Sequence, residues 1–309
     1  MCMACDLLQG VELDAAAGDA QAVRDPVHLP SSRDAVPLAR LFPAFGVPLH
    51  GRVRRCPPAR GNGHATASPR APTELVAAAI EDFRHFWQGK LEGIIDAPLR
   101  YLVALPTPFT QLQAAAPSDP DPQAWQALQQ QCLQSLQALL QDIPPEQLAI
   151  QWDAPAELHL WETRGRDLTA PRGVPERVLE QFVRLYEALP SMVHTGLHLC
   201  QGPAGPSGAS SLAQAVRLAG AVIASTEREP GWLHFSVPAE ATDPEWYAPL
   251  ANLQLWPAME VHVGVVQADC GATEAVNRLA AAQAVLPWAA ASLACTADPV
   301  QALPVLQRL

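Results

Sequence analysis

The stretch PERVLEQFVRLYEALPSMVHTGLHLC, residues 175–200, decides the reading of the fold. Its first half carries apolar residues at helical spacing, and Pro190 and Ser191 interrupt it. Met192 to Cys200 then form an apolar alternating run, which Gly202 and Pro203 break. A helix feeding directly into a strand is one half of a repeating α/β unit. Working outward, the same unit recurs. TELVAAAIEDFRHFWQGKLEG (73–93) precedes RYLVALPTP (100–108), and PQAWQALQQQCLQSLQALLQD (122–142) precedes LAIQWD (148–153). SLAQAVRLAGAVIAS (211–225) leads to WLHFSVP (232–238), a short helical PEWYAPLANL (244–253) to MEVHVGVV (259–266), and ATEAVNRLAAAQAV (272–285) to AASLAC (290–295). A last helix starts at Pro299.

Six strands are therefore expected from Arg100 onward. Two weaker candidates, VHLPS (27–31) and PLHGRVRR (48–55), come from the region of His28 to Arg55. Eight strands alternating with helices, in a chain of 309 residues, point to a (β/α)8 TIM barrel, an architecture of roughly 250 residues. A doubly wound open sheet is the alternative, and the absence of a GxGxxG turn after any strand weakens its dinucleotide-binding version. Residues 1–27 show no convincing period and read as an N-terminal tail. Residues 28–309 form one barrel domain, with a Pro, Gly and Ser rich loop near 56–72.

Composition narrows the partners. Hydrophobic residues make up 49% of the chain, enough to bury a large core and too many for a disordered protein. With 20 basic against 31 acidic residues the net charge is −11, and no basic run is dense enough to track a phosphate backbone, so nucleic acid is not an expected partner. Lys90 is the only lysine, which leaves Schiff-base chemistry resting on one residue. No apolar stretch reaches the roughly 18 residues of a membrane helix, and the acidic first twenty residues lack a signal peptide's layout. The expectation is a soluble cytoplasmic protein whose seven cysteines are reduced thiols rather than a secreted disulfide framework.

In a barrel the chemistry lies at the C-terminal ends of the strands. Those positions hold Pro106 and Thr107, Asp153, His198 with Cys200, His234 with Ser236, Gln267, Asp269 and Cys270, and Cys295 with Asp298. His198 and Cys200 are two apart, so on a strand they share a face and can reach one ion at about 2.0–2.3 Å. The plain alternative is a buried histidine beside an apolar cysteine. Cys295 closes another strand at the same expected end, and three such donors suit Zn²⁺ with one position open to a substrate thiolate. Glu157, His159 and Glu162 read as a solvated loop and helix start. Trp125, Trp232, Trp256 and Trp288 read as packing residues.

This ordered set resembles the catalytic C-terminal domain of cobalamin-independent methionine synthase and its single-barrel relatives in the uroporphyrinogen decarboxylase/methionine synthase-like superfamily. LAIQWDAPAELHLWE (148–162) is similar to that family's IQxDxPxxxxE segment, GLHLC (196–200) to its HxC strand, and MEVHVGVVQADCGATEAVNRL (259–279) to its penultimate strand and helix. The resemblance covers about Thr73 to Leu309 and, more faintly, His28 to Arg60, and implies His198, Cys200 and Cys295 as zinc ligands, with Asp153 contacting an amino acid substrate. Where the family has a glutamate ligand on the sixth strand, this sequence has Ser236, and His234 on the same strand face is the substitute considered. Asp269 is the candidate acid for the leaving group of the methyl donor.

The activity implied is zinc-dependent methyl transfer to homocysteine or a related small thiol. The donor is left open between a folate, a methylcobamide protein and another small molecule, since an acidic chain offers little basic surface to a folate's glutamate tail. Departures from the family surround the site: Gln201-Gly202-Pro203 follows the HxC, Thr296-Ala297 follows Cys295, and CPPARG (56–61) lacks a carboxylate. They keep two alternatives in view. One is a metal-free decarboxylase-like barrel using Arg52, Arg54 and Arg55 for substrate carboxylates. The other is a non-catalytic relative that binds a ligand or partner.

Overall fold

The computed structural model of the chain describes residues 12–13, 53–54, 72–115, 121–164, 174–200, 209–228, 230–267, 270–294 and 305. Two short strands, β1 (Glu12–Leu13) and β2 (Val53–Arg54), pair antiparallel with each other. The main sheet is parallel and has six strands in sequence order: β3 (Tyr101–Pro106), β4 (Leu148–Asp153), β5 (His194–Leu199), β6 (Trp232–Ser236), β7 (Glu260–Val266) and β8 (Ala290–Leu293). All six strands expected from Arg100 are present. Their order runs without the reversal that defines a doubly wound sheet and is that of consecutive barrel strands. Among the described residues β3 and β8 each pair on one side only.

PLHGRVRR does not supply a barrel strand among the described residues; its Val53 and Arg54 pair outside the six-stranded sheet. The physical reason is in the composition. A parallel strand is covered on both faces and needs a near-continuous apolar run, which GRVRR with its arginines cannot provide. VHLPS lies outside the described residues.

The helices are α1 (Pro72–Leu91), α2 (Pro108–Ala115), α3 (Pro122–Asp142), α4 (Pro155–Arg164), α5 (Val174–Glu187), α6 (Ala209–Ser225), α7 (Pro244–Tyr247) and α8 (Ala272–Val285). Their starts follow capping chemistry. Asp121 accepts from the Gln123 backbone N–H at 3.1 Å with Pro122 at the first helical position. Glu274 accepts from the Gly271 N–H at 3.2 Å. In α5, Val178, Phe182, Leu185 and Tyr186 form the buried stripe that the 3.6-residue period requires. No helix among the described residues is long and apolar enough to cross a membrane.

Strand alternation divides the sheet into two chemical faces. Val103, Leu105, Ile150, Trp152, Leu197, Leu199, Leu233, Phe235, Val261 and Val263 enter the main apolar core. The opposite face carries Gln151, Asp153, His194, His198, Trp232, His234, Glu260 and His262. On it Leu102, Ala149 and Trp232 pack as a separate small apolar group. Trp125 and Trp232 are buried as expected of packing residues, whereas Trp256 and Trp288 are exposed, because neither lies on a core-facing strand or helix stripe.

Gly196 is what admits the Trp232 indole to this face. A Cβ at position 196 would lie 1.9 Å from one ring carbon and 2.3 Å from Nε1. Gly196→Ala is expected to destabilise the fold by about 1–3 kcal/mol through overpacking. Gly220→Ala on α6, where an added Cβ meets nothing within 4 Å, is expected to be neutral or stabilising. Urea unfolding of both variants checks the contrast, and equal midpoints would show that the Gly196–Trp232 contact is slack.

Candidate active site

The strand register lines up one row of polar side chains. Asp153 lies opposite His198, His198 opposite His234, and His234 opposite His262. Because adjacent parallel strands present in-register residues to the same face, these four side chains project together on the side away from the main core. All four are buried, with Asp153 at 1% and His198 at 0% exposure.

Asp153 Oδ1 lies 2.8 Å from His198 Nδ1 and accepts a second hydrogen bond at 2.9 Å from Gln151 Nε2. A carboxylate acceptor at Nδ1 places the imidazole proton there, so Nε2 carries the lone pair. That nitrogen is 3.2 Å from Ser236 Oγ. The arrangement is the one in which a carboxylate orients a histidine for metal ligation or for base chemistry at the other nitrogen. Asp153, the residue expected to contact an amino acid substrate, engages His198 and Gln151 through Oδ1.

His234 stacks on His198, with ring centroids 4.2 Å apart and planes inclined by 15°. Its Nε2 is 3.1 Å from the Leu293 carbonyl oxygen, to which it donates. Burial, reinforced by the neighbouring His198 and His262, holds the His234 imidazole well below the usual histidine range and therefore neutral. His234, the substitute considered for the family's fourth ligand, thus has its Nε2 engaged with the Leu293 carbonyl and its ring parallel to that of His198. His234 is placed as a stacking neighbour.

Cys200 is buried and directly follows β5, two residues after His198. Cys295 and Asp269 lie outside the described residues. Among the described residues no group of three His, Cys, Asp or Glu side chains comes together to hold a metal ion. His198 and Cys200 are two donors of types suited to zinc, and the third donor implied by the resemblance is Cys295. Of the arginines considered for carboxylate binding, Arg54 lies in β2, while Arg52 and Arg55 are outside the described residues.

The sequence reading missed two features of this end of the sheet. The first is Ser236 as the hydrogen-bond partner of His198, which depends on the pairing of β5 with β6. The second is Glu157, read as part of a solvated helix start. It is fully buried, and Thr107, Thr110 and Gln181 all donate to it. Glu162 is likewise buried and accepts from Ser211, whereas His159 is exposed. The reading failed because the first turn of α4 faces the end of β3 and not solvent. Two threonines around the strand-end sequence PTPFT are the only local sign.

No family model matches the sequence, and no curated protein matches it. Among solved structures the chain is similar to a candidate vitamin-B12-independent methionine synthase from Listeria monocytogenes, at 16% identity and a TM-score of 0.47. That match covers 74% of this chain and 66% of the other, so the chain spans just under two thirds of that protein.

Proposed function

We propose that the chain is a zinc-dependent thiol alkyltransferase of methionine synthase-like type, acting on homocysteine or a related small thiol. The observation that carries this reading is the buried Asp153–His198 pair, which turns the basic Nε2 toward the strand end on the face where Cys200 follows. The ordered resemblance from LAIQWDAP through GLHLC to the strand ending at Cys295 supports it. Zinc, when bound, keeps an incoming thiol deprotonated near neutral pH.

In this reading His198 and Cys200 bind the ion with Cys295, and Asp153 fixes the tautomer and plane of His198. His234 packs against that ring, and Ser236 occupies the place of the family's fourth ligand. Asp269 is proposed as the acid serving the donor's leaving group. The methyl donor is a folate, a methylcobamide protein or another small molecule.

Metal analysis of chain purified without chelator is expected to find about one zinc per chain, in keeping with a single three-donor site. Cys200→Ser and Cys295→Ser should lose it, and Asp153→Asn should weaken binding about 10–100-fold by releasing the ring's orientation. X-ray absorption should then show an added Zn–S bond on titration with homocysteine. A metal-free protein that keeps its fold would overturn the reading.

A further inference from the structure

We infer that Gln151 is a positioning residue for His198. Its side-chain amide, held in one sense by the Trp232 indole N–H, keeps the Asp153 carboxylate in place to accept from Nδ1 and so selects the imidazole tautomer. The inference deepens the thiol reading and rests on it, because His198 is the imidazole that the proposed chemistry uses.

Strand pairing sets a second row behind the first, toward the N-terminal ends of the strands. Gln151 lies opposite Gly196 and Gly196 opposite Trp232, each two residues before its counterpart in the row of Asp153, His198 and His234. Side chains two apart on a strand share a face, so the two rows are successive layers of one surface. Gly196 puts no side chain into its layer, and Gln151 and Trp232 meet across it although β4 and β6 do not pair with each other. Trp232 Nε1 donates to Gln151 Oε1 at 3.5 Å, and Gln151 Nε2 donates to Asp153 Oδ1 at 2.9 Å. Both side chains are buried.

These two contacts decide which way the amide points. An indole N–H only donates and an ionised carboxylate only accepts. Turning the amide over would set Nε2 against the indole N–H and Oε1 against Asp153 Oδ1, two mismatched contacts in a buried place. The amide is thus locked as a donor toward Asp153, whose Oδ1 lies 2.8 Å from His198 Nδ1 and places the ring proton there. The ring has a competing choice, since Ser236 Oγ lies 3.2 Å from Nε2 and can accept a proton carried on that nitrogen instead. Loss of the Gln151 donor loosens the carboxylate and moves the balance toward the Nε2–H tautomer, which has no lone pair on Nε2.

The test uses the full chain after chelator dialysis. Long-range 15N–1H NMR is recorded above the pH range in which histidine titrates, and the His198 signals are identified by their loss in His198→Leu. Wild type is expected to show His198 protonated on Nδ1. Gln151→Met keeps the bulk of the side chain and removes the donor, and should bring the Nε2–H tautomer to on the order of 10% or more. Trp232→Phe keeps an aromatic ring without the indole N–H and should shift the tautomers in the same direction by less. A role in packing alone would leave the tautomer where it is. Unchanged His198 signals in folded Gln151→Met overturn the inference, and should that variant not fold, unchanged signals in Trp232→Phe do so. A wild-type ring protonated on Nε2 also overturns it and needs no variant. Zinc affinity, measured separately, is expected to fall about tenfold in Gln151→Met. A chain that shows the tautomer shift and binds no zinc upholds this inference while removing the thiol reading.

Discussion

His198→Leu is expected to lower the folding free energy by about 3 kcal/mol, the cost of taking a hydrogen-bond donor away from a buried charged acceptor. The cost arises at Asp153. That carboxylate is 1% exposed and accepts from His198 Nδ1 at 2.8 Å and from Gln151 Nε2 at 2.9 Å, so an apolar residue at 198 removes one donor from a desolvated oxygen. The stacking contact with His234 at 4.2 Å is lost as well. Zinc binding should disappear as well, since it requires Nε2. A double-mutant cycle with Asp153→Asn separates the pair from the packing. Once Asp153 is neutral, His198→Leu should cost appreciably less, giving a coupling on the order of 1–3 kcal/mol by urea unfolding. Additive losses would show that the pair contributes no stability as a unit.

How much of this was legible in the sequence depended on whether the signal was local. The six strands of the main sheet were legible because the apolar period switches from helical to alternating at each of them, most plainly between Tyr186 and Val193. Strand periodicity alone gave the expectation that His198 and Cys200 share a face, and β5 ends at Leu199, one residue before the cysteine. The partnership of Asp153 with His198 did not follow from it, because it depends on how β4 registers against β5 between residues 45 positions apart in the sequence. The same holds for Ser236, which the sequence offered as a departure from a family pattern and the fold turns into a hydrogen-bond partner. His234 was read correctly as sharing a strand face with Ser236, yet its partners, the stacked His198 ring and the Leu293 carbonyl of another strand, come from the pairing of strands and not from local sequence. Glu157 shows the limit most clearly. An acid in the first turn of a helix is ordinarily a solvated residue favoured by the helix dipole, and only tertiary placement reveals that this one is buried.

Glu157→Leu is the second large effect expected. Thr107 and Gln181 donate to its Oε1, the latter at 2.9 Å, and Thr110 donates to Oε2 at 2.7 Å. Gln181 in turn accepts from the Phe109 backbone N–H at 2.9 Å and from Trp125 Nε1 at 2.8 Å. The carboxyl thus ties the end of β3 to α2, α3, α4 and α5, and leucine would leave these donors facing an apolar group at a cost of about 3 kcal/mol or more. Burial pushes the Glu157 carboxyl above the usual range, against the opposing pull of the Thr107, Thr110 and Gln181 hydrogen bonds. A carboxyl raised on folding contributes stability that is fully present below its unfolded pKa, about 4.3, and is lost as pH rises through the higher folded value. The wild-type chain should therefore lose stability relative to Glu157→Gln between about pH 5 and about pH 8, since glutamine cannot ionise. Urea unfolding of both proteins at the two pH values measures the difference. A gap that stays constant with pH would mean that Glu157 keeps its unfolded pKa despite complete burial, and that the three donors fully offset the loss of water around it.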